Sequence, residues 1–204
     1  YYKLMKGKKK SFNSKNWDKN NNIYQKKFGS YNDYINKQKN KLNQINHVTF
    51  DDREKIVKRY TENFKNLKGL KKNTRVLCLA ARLGEEVEAF RKLGYFCYGI
   101  DLNNGLNNKY VVYGDFNKLT EATSSVDIIY TNSLDHSFDL EDVLNEIDRV
   151  LVKGGLFVCD LVLGYKEGYL VGDHDSAHWD KVQDVINYIL NRKKMKLLNS
   201  YSLK

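Results

Sequence analysis

The sequence predicts an α/β protein built on a doubly wound, mostly parallel sheet, preceded by a basic, partly helical extension. Three observations carry that expectation. From residue 75 onward, short apolar β-prone runs alternate with segments of helical periodicity. A small-residue loop joins the first of these strands to the first helix, and an acidic residue, Asp101, closes the second strand. In an open parallel sheet the carboxyl edge is where ligands bind, and a carboxylate there can accept two hydrogen bonds from a ribose diol.

The chain opens with a stretch rich in Asn, Lys and Tyr that has few aliphatic residues to pack, so residues 1–46 read as an extension, partly disordered or helical, ahead of an α/β domain over 47–204. Tyr31, Ile35, Leu42 and Ile45 give a loose helical stripe. A better one follows from Asp51 to Leu67, where Ile56, Val57, Tyr60, Phe64 and Leu67 share a face, with Asp51 and Asp52 at the favourable N-terminal end and Gly69 as a stop. That helix reads first as packing on the sheet and second as part of a lid. Strands are expected near 75–79, 95–100, 110–113, 126–131 and 156–163, and helices near 84–93, 139–152 and 178–193. Met195–Leu198 suffices for one more strand.

Composition bounds the class. The 204 residues include no proline and no run long enough to span a bilayer. Cys78, Cys97 and Cys159 each sit in or beside an apolar strand, which suits buried thiols in a reducing, cytoplasmic setting; no zinc spacing is present. The chain begins at Tyr1 without a signal-peptide core. Charge is uneven: residues 1–75 hold 21 basic and 6 acidic side chains, the remainder 14 and 19. The basic segment, with its tyrosines and Trp17, is a candidate arm for nucleic acid, although enrichment in Asn, Lys, Ile and Tyr without proline is equally what an AT-rich genome writes.

The region from 75 to 163 resembles class I S-adenosylmethionine-dependent methyltransferases, type 11-like, on four motifs in order. The loop Cys78-Leu79-Ala80-Ala81-Arg82-Leu83-Gly84 stands where the family has a glycine-rich loop, with only Gly84 matching its consensus. Gly114-Asp115-Phe116 follows the third strand, Val126–Asp139 looks like the fourth strand and its loop, and Arg149-Val150-Leu151-Val152-Lys153-Gly154-Gly155 keeps the double glycine of the family's helix-turn-strand motif without its proline. The resemblance implies a Rossmann-like fold and S-adenosyl-L-methionine as cofactor. It also implies a site in which Ala80, Ala81, Arg82 and Gly84 pass beneath the cofactor, Asp101 binds the ribose, Leu102 lies against adenine, and Asp115 with the Phe116 backbone reads the adenine edge. Asn132 is expected near the cofactor.

Direct methyl transfer needs a base only when the acceptor must lose a proton, and His136, oriented by Asp135, is the candidate. Glu85 and Glu86 read as helix-dipole partners, with one of them a candidate partner for Arg82. In the run Gly172–Trp179, Asp175 or Ser176 reads as a helix N-cap, Trp179 as a wall of the acceptor pocket, and the glycines at 164, 168 and 172 as a mobile approach; metal binding by the run is the less favoured reading. The leading functional expectation is methyl transfer to oxygen or nitrogen of a small molecule or sugar. The alternatives are a noncatalytic cofactor-binding scaffold and a nucleic-acid module using the arm.

Overall fold

The computed structural model describes residues 14–41, 50–67, 73–105, 108–192 and 195–201. Its centre is a five-stranded parallel sheet made of β3 (Arg75–Leu79), β4 (Phe96–Asp101), β5 (Val111–Tyr113), β6 (Val126–Thr131) and β7 (Leu151–Cys159), in the order β5-β4-β3-β6-β7. The order reverses between β3 and β6, which opens a crevice at the carboxyl edge there.

Strand periodicity divides the core in two. Leu77, Leu79 and Ile129 face one side, and Val76, Cys78, Ile128 and Tyr130 face the other, each set inside its own buried cluster. On the first side lie α4 (Leu140–Val150) and α5 (Val182–Arg192). Helix α4 buries Leu140, Val143, Leu144, Ile147 and Val150 at helical spacing and starts at Asp139, whose carboxylate accepts from the Glu141 and Asp142 amides. On the second side lie α2 (Phe50–Lys65) and α3 (Glu85–Lys92). Phe64 of α2 stacks on Phe90 of α3 at 3.9 Å between centroids, and both pack edge-on to Tyr130, so α2 is the packing helix that its stripe implied.

The segment expected to have little to pack is folded in its described part. β1 (Trp17–Asn20) and β2 (Ile23–Lys26) form an antiparallel hairpin, which pairs with β8 (Ala177–Trp179) into a second, three-stranded sheet. Helix α1 (Tyr31–Lys39) follows, capped by the Ser30 hydroxyl. Its buried residue is Tyr34 rather than Ile35, while Leu42 and Ile45 lie outside the described residues, as does Gly69.

Four other expectations change. Residues 177–179 are a strand, because β2 supplies their hydrogen-bond partners, so α5 starts at Val182, not at 178, and Asp175 and Ser176 do not cap it. Its first amide is capped instead by Glu167, which accepts from Val182 N at 2.8 Å. β7 runs over 151–159 rather than 156–163: the turn at Lys153-Gly154-Gly155 is absorbed as an irregularity against β6, with Gly154 at φ 79° and no room for a Cβ at Gly155, 2.9 Å from the Asp127 carbonyl. Residues 195–201 contain no strand. Among the described residues no helix is long and apolar enough to cross a membrane.

Candidate active site

The cleft at the carboxyl edge is built from three directions. From the sheet come Ala80 and Arg82 of the β3–α3 loop, Asp101, Leu102 and Asn103 at the end of β4, Gly114 and Phe116 after β5, and Ser133 and His136 after β6. From above come Tyr34, Gln38 and Lys41, the inner face of α1 and the residue just beyond it.

The β3–α3 loop turns without the usual glycines by holding Ala80 at φ 53° and Arg82 at φ 44°, both in the left-handed region. Hydrogen bonds hold it there. Ala81 N donates to the Ile100 carbonyl at 2.9 Å, and Arg82 N donates to Asp101 Oδ2 at 2.9 Å. Asn103 N donates to Asp101 Oδ1 at 2.7 Å. The carboxylate is thereby fixed by two backbone amides, each of its oxygens keeping a lone pair for a hydroxyl. Burial pushes its pKa up, and those two amides oppose the shift. Ala81 is buried behind the loop, against Gly99, where an added Cβ would lie 2.5 Å from the Ala81 Cβ. Gly84 caps α3 at φ 80°.

Arg82 pairs with neither Glu85 nor Glu86. Arg53 of α2 takes Glu85 at 3.0 Å and Glu88 at 3.2 Å, leaving the Arg82 side chain in the cleft wall without an ion pair among the described residues. Glu86 is no exposed dipole partner: it is 4% exposed, and burial pushes its pKa up to about 8.

The adenine-reading pair splits. Phe116 lines the cleft, but Asp115 is engaged elsewhere, accepting from the Tyr31 hydroxyl of α1 on one oxygen and from Asn117 N and Nδ2 on the other. Asn132 points away from the cleft toward α2, donating to the Tyr60 hydroxyl at 2.9 Å; its neighbour Ser133 takes its place in the wall.

His136 lies in the wall on the short 3-10 turn Leu134–His136. Its Nδ1 faces the His174 carbonyl at 3.2 Å, and Lys41 Nζ donates to Nε2, so the ring is the Nδ1–H tautomer. Burial, with Lys41 and Arg82 nearby, lowers its pKa to about 3, and burial and Arg82 lower that of Lys41 to about 8. Asp135 does not orient the ring by a hydrogen bond. It is buried behind it, its pKa pushed up to about 7 by burial and by Asp175. Asp175 comes from the loop before β8 and stands 3.7 Å from His136 Nδ1. Trp179 is wholly buried in the core, donating to the Val162 carbonyl, and is not among the residues that line the cleft. Gly164 is fixed too: an added Cβ would lie 2.2 Å from the Asp180 carbonyl.

Reading the sequence alone missed Tyr34, Gln38, Lys41, Asn103 and Ser133. The first three recur at intervals of four and three, the spacing of one helix face, and that was the available signal.

Fold and cleft together define a doubly wound α/β domain with a cleft at the point where strand order reverses. Asp101 at the end of β4, with apolar Leu102 and Phe116 beside it, suits a ribose and a base. Comparison adds a likeness. Residues 77–159 match the family model described as "Methyltransferase domain", so this segment is similar to the methyltransferase domains that use S-adenosylmethionine. No curated protein matches the chain.

Solved structures share the fold. A chain from the complex between the Haloferax volcanii Trm112 methyltransferase activator and its methyltransferase is 18% identical, with a TM-score of 0.55 over 70% of this chain and 72% of that one. A Thermotoga maritima SAM-dependent methyltransferase, described as a possible histamine N-methyltransferase, is 14% identical, with a TM-score of 0.52 over 76% of this chain and 79% of its own. YcgJ from Bacillus subtilis is 22% identical with a TM-score of 0.46; 52% of this chain is covered, and the chain spans about half of YcgJ's length. At these identities the likeness is one of fold, which does not select an acceptor.

Proposed function

We propose that the chain binds S-adenosylmethionine in the cleft and transfers its methyl group to an oxygen or nitrogen of a small molecule or sugar. The observation that carries this is Asp101, held by two backbone amides at the end of β4 with both oxygens open to a ribose diol. The bound cofactor supplies a methyl group already activated on a sulfonium, so the protein's part is alignment and exclusion of water, worth roughly 7–11 kcal/mol in favourable cases. Leu102 and Phe116 offer the apolar walls for the base, and the backbone at Gly84, opening α3, suits a carboxylate. The Arg82 guanidinium, without an ion pair among the described residues, is a second carboxylate partner at that loop.

Helix α1 excludes water by closing over the cleft through Tyr31 to Asp115 and through Asn103 Nδ2 to the Lys39 carbonyl at 2.7 Å. The proton of a hydroxyl or amine acceptor passes to Lys41 Nζ in its uncharged form, held at the cleft wall by His136, whose own pKa of about 3 makes the ring a poor proton acceptor. Asp115 serves through α1, anchoring this cover beside the base site.

The test is release of S-adenosylhomocysteine when the full chain is incubated with S-adenosylmethionine and a panel of hydroxyl and amine acceptors. A turnover that falls about 10²–10⁴-fold in Lys41→Ala, with product affinity kept within about tenfold, is the expected result. Cofactor binding with no turnover on any acceptor would favour a noncatalytic scaffold, the reading that the substituted loop residues Ala80 and Arg82 support.

A further inference from the structure

We infer that Asp135, His136 and Asp175 form a binding site for one divalent transition-metal ion in the wall of the cleft. Their donor atoms all lie within 4.8 Å of one another. Donors about 2.1 Å from a shared ion can stand at most about 4.2 Å apart, so the cluster needs only a fraction of an ångström of closure.

The donors are placed by backbone. Asp135 and His136 sit on the turn after β6, Asp175 precedes β8, and Ser176 N ties the two segments by donating to the Asp135 carbonyl at 2.7 Å. One oxygen of Asp175, Oδ2, is already satisfied, accepting from Gly172 N at 2.6 Å and the Tyr169 hydroxyl at 3.3 Å. Its other oxygen faces His136 Nδ1 at 3.7 Å. Outer partners of this kind orient metal ligands.

Asp135 is the second and independent observation. It is 5% exposed, yet among the described residues no other residue donates a hydrogen bond to its carboxylate. A buried carboxylate beside another is costly unless a cation compensates both. Lys41 acts on both carboxylates from a distance, but its Nζ hydrogen-bonds to Nε2, the other nitrogen of the imidazole, and to neither of them among the described residues. Coordination through Nδ1 displaces its contact with the His174 carbonyl and moves the ring hydrogen to Nε2, where Lys41 Nζ accepts it as an uncharged amine.

One imidazole with two carboxylates suits manganese(II) or zinc(II) rather than ions that prefer thiolates. Three protein donors leave positions open on a four- to six-coordinate ion, and His136 lines the cleft, so an oxygen of a cleft ligand can complete the shell. The ligand class is therefore one that presents a hydroxyl or carboxylate oxygen.

The site is testable without any methyl acceptor or cofactor. The full chain, freed of metal by chelation, is titrated calorimetrically with manganese(II) chloride alone and with zinc(II) chloride alone. Saturable binding at one site per chain, weakened at least tenfold in both Asp135→Asn and Asp175→Asn, is expected. S-adenosylhomocysteine binding and thermal unfolding are measured on the same variants to show that each is folded; should one fail to fold, the other decides. Absence of saturable binding, or binding unchanged in a folded variant, overturns the site. Metal binding by a chain that does not bind S-adenosylhomocysteine would contradict the methyltransferase reading while leaving the metal site standing.

Discussion

Gly99 shows how much of the cofactor loop rests on a single absent atom. An added Cβ there would meet Ala81 Cβ at 2.5 Å and Val87 Cγ2 at 2.9 Å, the first in the loop and the second in the core face of α3. Gly99→Ala is therefore expected to cost about 1–3 kcal/mol and to displace the loop that fixes Asp101; denaturant unfolding and cofactor titration of the variant measure the two effects. Glu86 sets a different constraint. The fold raises its pKa from 4.5 to about 8, so it favours the protonated form, and the stability it contributes is complete below about pH 4.5 and is lost as pH rises through about 8. At ~1.4 kcal/mol per pKa unit, the loss amounts to several kcal/mol. Glu86→Gln should flatten this part of the stability profile and unfold at a higher temperature than the parent at pH 8 and above; an unchanged slope between pH 5 and 8 would count against the burial argument. Asp101 was legible in the sequence because the strand before it and the loop beside it are local patterns. Lys41 was not, because nothing in a segment crowded with lysines says which one folds back onto a histidine 95 positions away.

Helix α1 and the β1–β2 hairpin are the elements that sequence reading understated. Their partners are distant: β8 for the hairpin, Asn117 and Phe138 for Tyr34. A three-residue strand such as Ala177–Trp179 carries too short a pattern to be told from the start of the next helix; its hydrogen bonds to β2 decide it. By contrast α4 was readable, since an N-cap aspartate and five core residues at helical spacing agree with one another. Tyr34 anchors α1 from a fully buried position among Phe28, Tyr31 and Phe138. Tyr34→Ala should cost about 3–5 kcal/mol if the helix stays docked. If α1 detaches instead, the global loss is smaller and the cofactor dissociates faster. Hydrogen exchange of the α1 amides together with stopped-flow release of S-adenosylhomocysteine separates the two results. Unchanged stability and unchanged release would show that α1 is no cover.

Across the whole molecule, the charge asymmetry has a partly internal destination. Of the lysines in the described basic segment, Lys19 pairs with Asp180, Lys26 donates to the Asp173 carbonyl, Lys27 pairs with Asp18, and Lys41 holds His136. Lys19, Lys26 and Lys41 thus link the described basic residues to the second sheet and the cleft, while Lys27 and Asp18 pair within the segment. The central claim is that this combined unit holds S-adenosylmethionine through Asp101. Calorimetric titration of the full chain with S-adenosylmethionine and with S-adenosylhomocysteine, against Asp101→Ala as control, tests it most directly. The account predicts saturable binding of both at one site, weakened at least about tenfold in a variant that remains folded; no binding by the folded parent chain, or equal binding by Asp101→Ala, would contradict it.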